Sequence, residues 1–514
     1  MNPCHICKTE TKNSCSNCKQ VFYCSAEHQK QHWKEHKKNC HPFKVATNDV
    51  LGRHMVAART IKPFEIILKE APLFRGPSQL TPPVCLGCLN AIDPKDYINC
   101  EKCGWPLCGD ECAHKSEHIY ECELTAMRNK KANIQEFTSP HPLYQCLSTA
   151  RCLMLRDKDV ERWNKINELE SLEDQRRGSM QWKADYESVC KFILKYFKTE
   201  IFNEDEIMRV IGILQINGHE VPTSDPAHVA LFYKASFLEH SCTPNVAKSF
   251  NKDGHIVLWA PKEIKKGTHL SICYSDAVWG TADRQRHLMQ TKVFKCQCPR
   301  CIDVSEYGTN YSALKCEKEG CKGLMLPASL NDWHKEWTCA ECKAQVDKTY
   351  VNNILERAGS DINAMEKTRE NCLKYLQHYG KWLPSHHYYM CEVKLYLVQQ
   401  LGRQAHELMI LSDEDLSMKL EYGRQLVELY ETLAPCEVRM LGTLCFEVHS
   451  AVAENTRRIS LHTSLSPKEL LEESLMYVDK AANYLQFESD IFVEGHILKQ
   501  ARINRDALNM VMRM

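Results

Sequence analysis

Short apolar and polar stretches alternate in two parts of the chain. Residues 50–70 combine apolar stretches with glycine, proline and charged residues, a pattern that predicts two short strands joined by turns. The alternation returns between 229 and 275, most clearly at residues 255–260 and 269–274. We therefore expect strands in both regions.

Helical spacing dominates the rest of the chain. Residues 123–222 predict helices, because apolar side chains recur there three and four positions apart, as in Val189, Phe192, Ile193, Tyr196 and Phe197, and in Ile207, Val210, Ile211 and Leu214. Everything beyond about residue 350 also has helical spacing, with stripes at Leu426, Leu429, Tyr430 and Leu433, and at Leu471, Leu475, Val478, Ala482 and Leu485. Several such helices of similar length predict stacked antiparallel hairpins whose stripes form the core.

Length and composition narrow the class. A chain of 514 residues is too long for a single core. Lysine plus arginine and aspartate plus glutamate both number 66, which argues against a globally basic surface for nucleic acid. No apolar run reaches the roughly 18 residues of a membrane span, and the chain opens Met-Asn-Pro-Cys-His without a secretory leader. We expect a protein of the cytosol or nucleus, without a membrane partner.

The 29 cysteines point to metal, because thiols in a reducing compartment rarely pair with one another. The first group has the spacing of ligands for two tetrahedral zinc ions, and its members are Cys4, Cys7, Cys15, Cys18, Cys24, His28, His36 and Cys40. A segment of 40 residues buries too little apolar surface to fold alone, so zinc supplies the folding free energy. A second group repeats the pattern, with members Cys85, Cys88, Cys100, Cys103, Cys108, Cys112, His118 and Cys122. His114 competes with His118 there, and the spacing of four residues to Cys122 favours His118.

Two further groups follow. Cys296, Cys298 and Cys301 supply three thiolates, and their zinc site needs a fourth ligand from elsewhere. The last group has the spacing of a zinc ribbon, with buried thiols as its alternative, and its members are Cys316, Cys321, Cys339 and Cys342. Most of the cysteines without ligand spacing are read as core residues.

Several motifs resemble one family. YCSAEHQKQHWKEHKKNC (23–40) is similar to the second half of a MYND zinc finger, with His28 where that module more often has cysteine. LEHSCTPN (238–245) resembles the NHSCxPN motif of SET-domain lysine methyltransferases. GTHLSICYSD (267–276) and FKCQCPRC (294–301) resemble the family's GEELxxxYxD and post-SET motifs. Together they resemble the SMYD family, most closely its arthropod SmydA branch.

This resemblance implies an α+β multidomain protein in which a MYND finger splits a SET β-fold. The boundaries that we predict are 1–40 for an extra N-terminal MYND finger, 41–84 for the first SET part, 85–122 for the second finger, 123–222 for a helical SET insert, 223–294 for the SET core, 295–303 for the post-SET segment, 304–346 for a zinc ribbon and 347–514 for a TPR-like helical domain.

The resemblance also implies a reaction and its site, namely methyl transfer from S-adenosylmethionine to a protein lysine, on a histone or another protein. Tyr274 stands at the position of the catalytic tyrosine. The implied cofactor-binding residues are Gly52, Arg53, Asn217, Glu239, His240, Tyr274 and Phe294. Cys242 would supply the missing post-SET ligand, giving about six zinc ions in all.

Some residues depart from the family pattern. Glu239 replaces an asparagine, so a group that donates and accepts becomes one that only accepts. Phe64 replaces the glycine of a turn, which predicts a different turn. Lys292 stands near a channel tyrosine of related enzymes, where a cation would repel a substrate ammonium or occupy the channel itself; its alternative is a solvated surface lysine.

These departures leave two hypotheses open. The first is a protein-lysine methyltransferase with zinc-bearing modules. The second is a catalytically weak or inactive adaptor, whose MYND fingers recruit proline-containing peptides, in transcriptional repression for example. Sequence-specific nucleic-acid binding is disfavoured, because MYND helices lack the geometry of groove binders.

Overall fold

The computed structural model describes residues 2–15, 21–198, 200–462 and 468–513. Its strands are short and, in chain order, are β1 Asn2–Pro3, β2 Glu10–Thr11, β3 Phe43–Asn48, β4 Gly52–Ala57, β5 Ile66–Glu70, β6 Phe74–Gly76, β7 Ile98–Asn99, β8 Pro106–Leu107, β9 His219–Val221, β10 His228–Leu231, β11 Glu239–His240, β12 Ala247–Phe250, β13 Ile256–Trp259, β14 Ser271–Ile272, β15 Leu314–Lys315, β16 Leu324–Pro327, β17 Trp337–Cys339 and β18 Gln345–Val346.

The α-helices are α1 Ala26–Cys40, α2 Asp110–Ala113, α3 Ile119–Met127, α4 Leu147–Lys158, α5 Val160–Asn167, α6 Glu173–Arg176, α7 Met180–Asp185, α8 Lys191–Phe197, α9 Glu204–Asn217, α10 Thr281–Lys292, α11 Pro299–Ile302, α12 Lys348–Ala364, α13 Arg369–Tyr379, α14 Tyr388–Gln400, α15 Ala405–Ile410, α16 Asp413–Leu433, α17 Val438–His462, α18 Lys468–Tyr484 and α19 Val493–Val511. In the described part of the chain, no helix is long and apolar enough to cross a bilayer.

The β-fold consists of small sheets around one core. β3 pairs with β4 as a hairpin, β5, β13 and β12 form one antiparallel sheet, and β6, β10 and β9 form another. β13 is buried along its whole length, as expected for a strand with apolar residues on both faces. The strands predicted at 50–70 and at 229–275 are therefore confirmed, although several are shorter than the pattern suggested.

Helix α9 illustrates how the sequence sets an element that carries site residues. Asn203 caps its first turn, and Glu206 returns the hydrogen bond in a capping box. Its apolar residues Ile207, Val210 and Ile211 are buried in the main core. The helix ends at Asn217, so its last carbonyl groups and that amide lie together at one end.

The turn before β5 holds Phe64 in a backbone conformation that is rare for a residue with a side chain. Phe64 has a φ of 62°, the left-handed conformation that glycine adopts most easily. Its N–H donates to the carbonyl of Ala260 at 2.6 Å, and its ring lies near Trp259, with centroids 6.3 Å apart. The turn keeps a glycine-like backbone because this pairing and the ring contact hold the bulkier residue there.

The C-terminal third is helical, as predicted. Consecutive helices contact one another, α16 with α17, α17 with α18 and α18 with α19. This region also packs against the β-fold, because the ring of Phe487 lies 5.0 Å from that of Trp259 and Ser249 donates to Glu488 at 2.7 Å. The prediction of an α+β multidomain chain is confirmed.

Candidate functional site

Among the described residues, at least five groups of four side chains are arranged as metal sites, with ligand atoms within 4.8 Å of one another. The groups are Cys4, Cys7, Cys24 and His28; Cys85, Cys88, Cys108 and Cys112; Cys100, Cys103, His118 and Cys122; Cys242, Cys296, Cys298 and Cys301; and Cys316, Cys321, Cys339 and Cys342. All described cysteines are free thiols. The sulfur atoms of Cys88 and Cys108 are 3.7 Å apart, and those of Cys242 and Cys301 are 3.5 Å apart. Thiolates on one tetrahedral zinc ion lie about 3.8 Å apart, because each Zn–S bond is about 2.3 Å, whereas a disulfide measures about 2.05 Å.

The N-terminal finger contains the first of these groups. Burial opposes ionisation of Cys4, but N–H groups of Cys7, Cys24 and Ile6 outweigh it and lower the pKa of this thiol to about 5. A thiol that ionises this readily is suited to bind zinc. For the second predicted group of this finger, the sulfur atoms of Cys15 and Cys40 are 3.7 Å apart and His36 is buried. Cys18, which we also predict as a ligand, lies outside the described residues.

In the second finger the structure places His118, rather than His114, with the cysteines. His118 Nε2 lies 3.5 Å from Cys103 Sγ, and Nδ1 faces Glu121 Oε1 at 3.0 Å. Glu121 in turn accepts two hydrogen bonds from Arg151, at 2.7 and 2.8 Å. All three partners are almost fully buried. The carboxylate therefore orients the imidazole for metal and ties the finger to helix α4.

The post-SET group obtains its fourth thiol from Cys242, as the resemblance implied. Behind it, Arg284 and Arg300 both pair with the buried carboxylate of Glu306, at 3.1 and 2.8 Å. Arg300 also donates to the carbonyl oxygen of Cys242 at 3.3 Å. The post-SET site is thus joined to the strand segment that precedes the candidate reaction site.

Two short strands lie side by side at that reaction site. β11 and β14 are paired in parallel, with Glu239 opposite Ser271 and His240 opposite Ile272. Asn245 joins the segment after β11 to β14, because its amide donates to the carbonyl of His269 at 2.7 Å and accepts from the N–H of Ser271 at 3.0 Å. This explains the asparagine that ends the LEHSCTPN motif.

His240 connects the catalytic candidate to the post-SET site. Its Nδ1 accepts the backbone N–H of Tyr274 at 3.0 Å, so the ring proton lies on Nε2, which faces Cys242 Sγ at 3.3 Å. Burial lowers the pKa of His240 to about 4, and the imidazole is neutral. Phe294 lies edge-on to the same ring, with centroids 5.6 Å apart.

Tyr274 is half-buried, and its hydroxyl donates to the carbonyl of Leu238. Burial, followed by the nearby Glu239 carboxylate, raises the pKa of the phenol well above its usual range. Tyr274 therefore stays a neutral phenol, which can donate one hydrogen bond and orient a group beside it.

Glu239 faces a histidine pair that the sequence did not lead us to expect. Its carboxylate lies 2.9 Å from His269 Nδ1, and the ring of His269 stacks on that of His54 at 4.7 Å. His54 follows Arg53 in β4. Glu239 is thereby connected to the first SET segment.

Arg53 and Asn217 both form hydrogen bonds to one loop. Arg53 donates to the carbonyl of Glu168 and lies 3.7 Å from its carboxylate. Asn217 donates to the carbonyl of Glu170 at 2.8 Å. Gly52, just before Arg53, has a φ of 61° and faces open space, since a side chain there would meet nothing within 4 Å.

Lys292 closes the series. Its ammonium donates to the carbonyl groups of Gln215 and Ile216, at 2.9 and 2.8 Å, next to Asn217. The same ammonium lies 5.6 Å from the centroid of the Tyr274 ring. Of the two alternatives for Lys292, the solvated surface lysine is therefore wrong. We call this closed series of contacts the pocket ring; its members are Arg53, His54, Glu168, Glu170, residues 215–217, Glu239, His240, His269, Tyr274 and Lys292.

The pocket ring fits S-adenosylmethionine in its chemistry. Five of the candidate side chains are half-buried and so partly accessible to a ligand, namely Asn217, Glu239, His240, Tyr274 and Phe294. Phe294 offers an aromatic ring for adenine, and the open backbone at Gly52 allows close approach. Of the cysteines without ligand spacing, seven are buried as predicted and Cys273, beside Tyr274, is half-buried.

Comparisons with known proteins agree with this geometry. The MYND finger model matches residues 4–40, and the SET domain model matches residues 52–275. SmydA-8 isoform A of Drosophila melanogaster, a SET domain-containing protein, is 26% identical over 379 residues, which is 71% of this chain and 79% of that protein. Histone-lysine N-methyltransferase ASHR1 of Arabidopsis thaliana is 23% identical over 76% of this chain and 82% of its own length.

Human N-lysine methyltransferase SMYD2 is 22% identical over 58% of this chain and 50% of its own length. A crystal structure of the LSMT SET domain with lysine and AdoHcy overlaps 94% of this chain and 92% of its own, at 12% identity and a TM-score of 0.28, too loose an overlap to bear on the site. The matched residues thus include a MYND finger at 4–40 and a SET domain at 52–275, and the paired strands β11 and β14 lie within the SET match. In this combination of domains the chain is similar to the SET and MYND domain proteins.

Proposed function

We propose that this chain is an S-adenosylmethionine-dependent protein-lysine N-methyltransferase. The observation that carries the proposal is the pocket ring, in which distant segments of the chain meet around Tyr274. The relatives named as lysine methyltransferases support the same reaction class, and they leave the substrate open between histones and other proteins.

Each candidate residue has a role in this proposal. Gly52, Arg53 and Asn217 would hold the amino-acid end of the cofactor, and Phe294 would pack on its adenine. Glu239 and His240 complete the pocket. The cofactor supplies a methyl group on a sulfonium, which makes that methyl open to attack by a nitrogen lone pair.

The protein's own contribution is to position and desolvate the two reactants. A free lysine amine has a pKa of about 10.4 and must lose its proton before it can attack. Half-buried surroundings disfavour its charged form. The Tyr274 hydroxyl and the Leu238 carbonyl are hydrogen-bonded to each other, and in this proposal their oxygen atoms would orient the amine and contact the methyl.

Transfer of labelled methyl to a lysine-containing peptide library tests the proposal. We expect transfer by the full chain and a loss of at least about 100-fold in Tyr274→Phe, which deletes one oxygen atom and keeps the ring. Cofactor binding by both proteins is measured alongside. Tight binding without any Tyr274-dependent transfer would contradict the enzyme and favour the adaptor, in which the MYND fingers recruit proline-containing peptides.

A further inference from the structure

The side chain of Lys292 is fixed by specific contacts, unlike that of a solvated surface lysine. It is the last residue of α10, and Val293 after it adopts a φ of 59°, which turns the chain away from the helix. The side chain reaches across to the end of α9, where two consecutive carbonyl groups accept its ammonium protons. The negative end of a helix dipole is a favourable place for a cation.

Among the residues that the structure describes, no carboxylate forms an ion pair with this ammonium. The groups that influence Lys292 are its buried surroundings and a second cation, Lys248, which together lower the pKa of Lys292 to about 8. Glu239, an acidic member of the pocket ring that lies near Tyr274, is engaged with His269. Lys292 therefore brings a largely uncompensated positive charge to the pocket ring.

The location of that charge is the argument for a function. Two carbonyl oxygens and the face of an aromatic ring form a cation-binding position, and here the chain fills it with its own lysine. The ammonium lies beside the ring of Tyr274 and contacts the carbonyl group of Ile216, the residue before Asn217. In the sequence, Lys292 stands two residues before Phe294. Any ligand that reaches both Asn217 and Tyr274 must pass close to it.

We propose that Lys292 is a specificity-determining residue that selects against positive charge in this pocket, both the sulfonium of S-adenosylmethionine and the protonated amine of an acceptor lysine. This inference rests on the proposed function. The neutral thioether S-adenosylhomocysteine differs from S-adenosylmethionine by one methyl group and one positive charge, so the pair of ligands isolates the charge.

Calorimetric titration of the full chain with each ligand tests the inference. The quantity of interest is the ratio of the two dissociation constants, because changes in shape or stability affect both ligands alike. We expect Lys292→Met to improve binding of S-adenosylmethionine relative to S-adenosylhomocysteine by about tenfold, the size expected for like charges within roughly 10 Å at an effective dielectric constant of about 20.

Three further variants make the result interpretable. Lys292→Gln is a second neutral variant that can still donate to the two carbonyl groups, and it should shift the ratio in the same direction. Lys292→Arg keeps the charge and should keep the wild-type ratio. Lys295→Met removes an exposed lysine three residues away, which donates to Asn331 at 2.6 Å, and should also keep it.

Two results would overturn the inference, and they differ. If both ligands bind and neither neutral variant changes the ratio, Lys292 does not set charge preference, and the proposed function stands. If neither ligand binds the wild type or the neutral variants, the proposed function fails and this inference fails with it.

Discussion

The two zinc fingers share the spacing within each pair of ligands but have different relations to the rest of the chain. The N-terminal finger has a small core of its own, formed by Cys15, Tyr23 and Cys40. The second finger instead shares one core with the SET strands and the helical insert. Its residues in that core are Cys85, Leu86, Cys103, Trp105, Leu107, Cys112 and Cys122. One pattern of ligands thus yields an appended module in one place and an integral part of the SET domain in the other.

The difference comes from what surrounds the ligands. His118 is connected through Glu121 to Arg151, and Arg151 also donates to the carbonyl groups of Leu86 and Arg75, at 2.9 and 3.2 Å. These contacts join the second finger to α4 and β6. Metal in this finger should therefore stabilise the SET domain, whereas metal in the first finger should stabilise mainly itself.

Loss of one ligand in each finger should give the largest contrast. Cys103→Ser should lower the free energy of unfolding of the SET region by more than about 3 kcal/mol, because it removes a buried zinc ligand inside the main core. Cys4→Ser, in the first finger, should shift the main melting transition by less than about 2 °C. Calorimetry with elemental zinc analysis measures both. Equal shifts for the two variants would contradict the comparison.

The Glu121–Arg151 pair should give the next largest effect. Arg151→Met leaves a buried carboxylate without its partner and should cost about 3–5 kcal/mol. Arg156→Met, in the same helix, removes a partly exposed arginine paired with Glu206 and should cost less than about 1 kcal/mol. Denaturant unfolding compares them. A cost for Arg151→Met no greater than that of the control would break the proposed link between finger and SET domain.

Removal of the N-terminal finger should give the smallest effect. A chain that begins at residue 42 keeps β3 and the Pro42 carbonyl that pairs with Ala58 at 2.9 Å. We expect its unfolding free energy to change by less than about 1 kcal/mol, with about two zinc ions fewer by elemental analysis. Collapse of the SET region in this shortened chain would mean that the first finger is integral as well.

The sequence was informative where the signal is local. Ligand spacing identified the metal groups, and apolar periodicity identified α9 and the helices beyond residue 350, because both patterns repeat within a few residues. Cys242 could be identified as a ligand only through the family resemblance, because it lies 54 residues before Cys296 and belongs to no cysteine pair with ligand spacing.

The remaining parts of the candidate site depend on contacts between distant residues. Arg53 meets Glu168 across 115 positions, and Lys292 reaches Ile216 across 76. No local pattern encodes such pairs, because they form only when the helical insert folds over the SET strands. The backbone of Phe64 shows the same dependence, because tertiary contacts impose a left-handed conformation that a phenylalanine by itself disfavours.

The central claim is that the pocket ring is one binding site for the cofactor. Calorimetric titration of the full chain with S-adenosylhomocysteine tests this claim most directly, using Asn217→Ala and, as control, Asn203→Ala at the opposite end of the same helix. We expect one molecule bound per chain, an affinity at least about tenfold weaker in Asn217→Ala, and wild-type affinity in Asn203→Ala. Absence of binding to the wild type, or equal affinity in both variants, would contradict it.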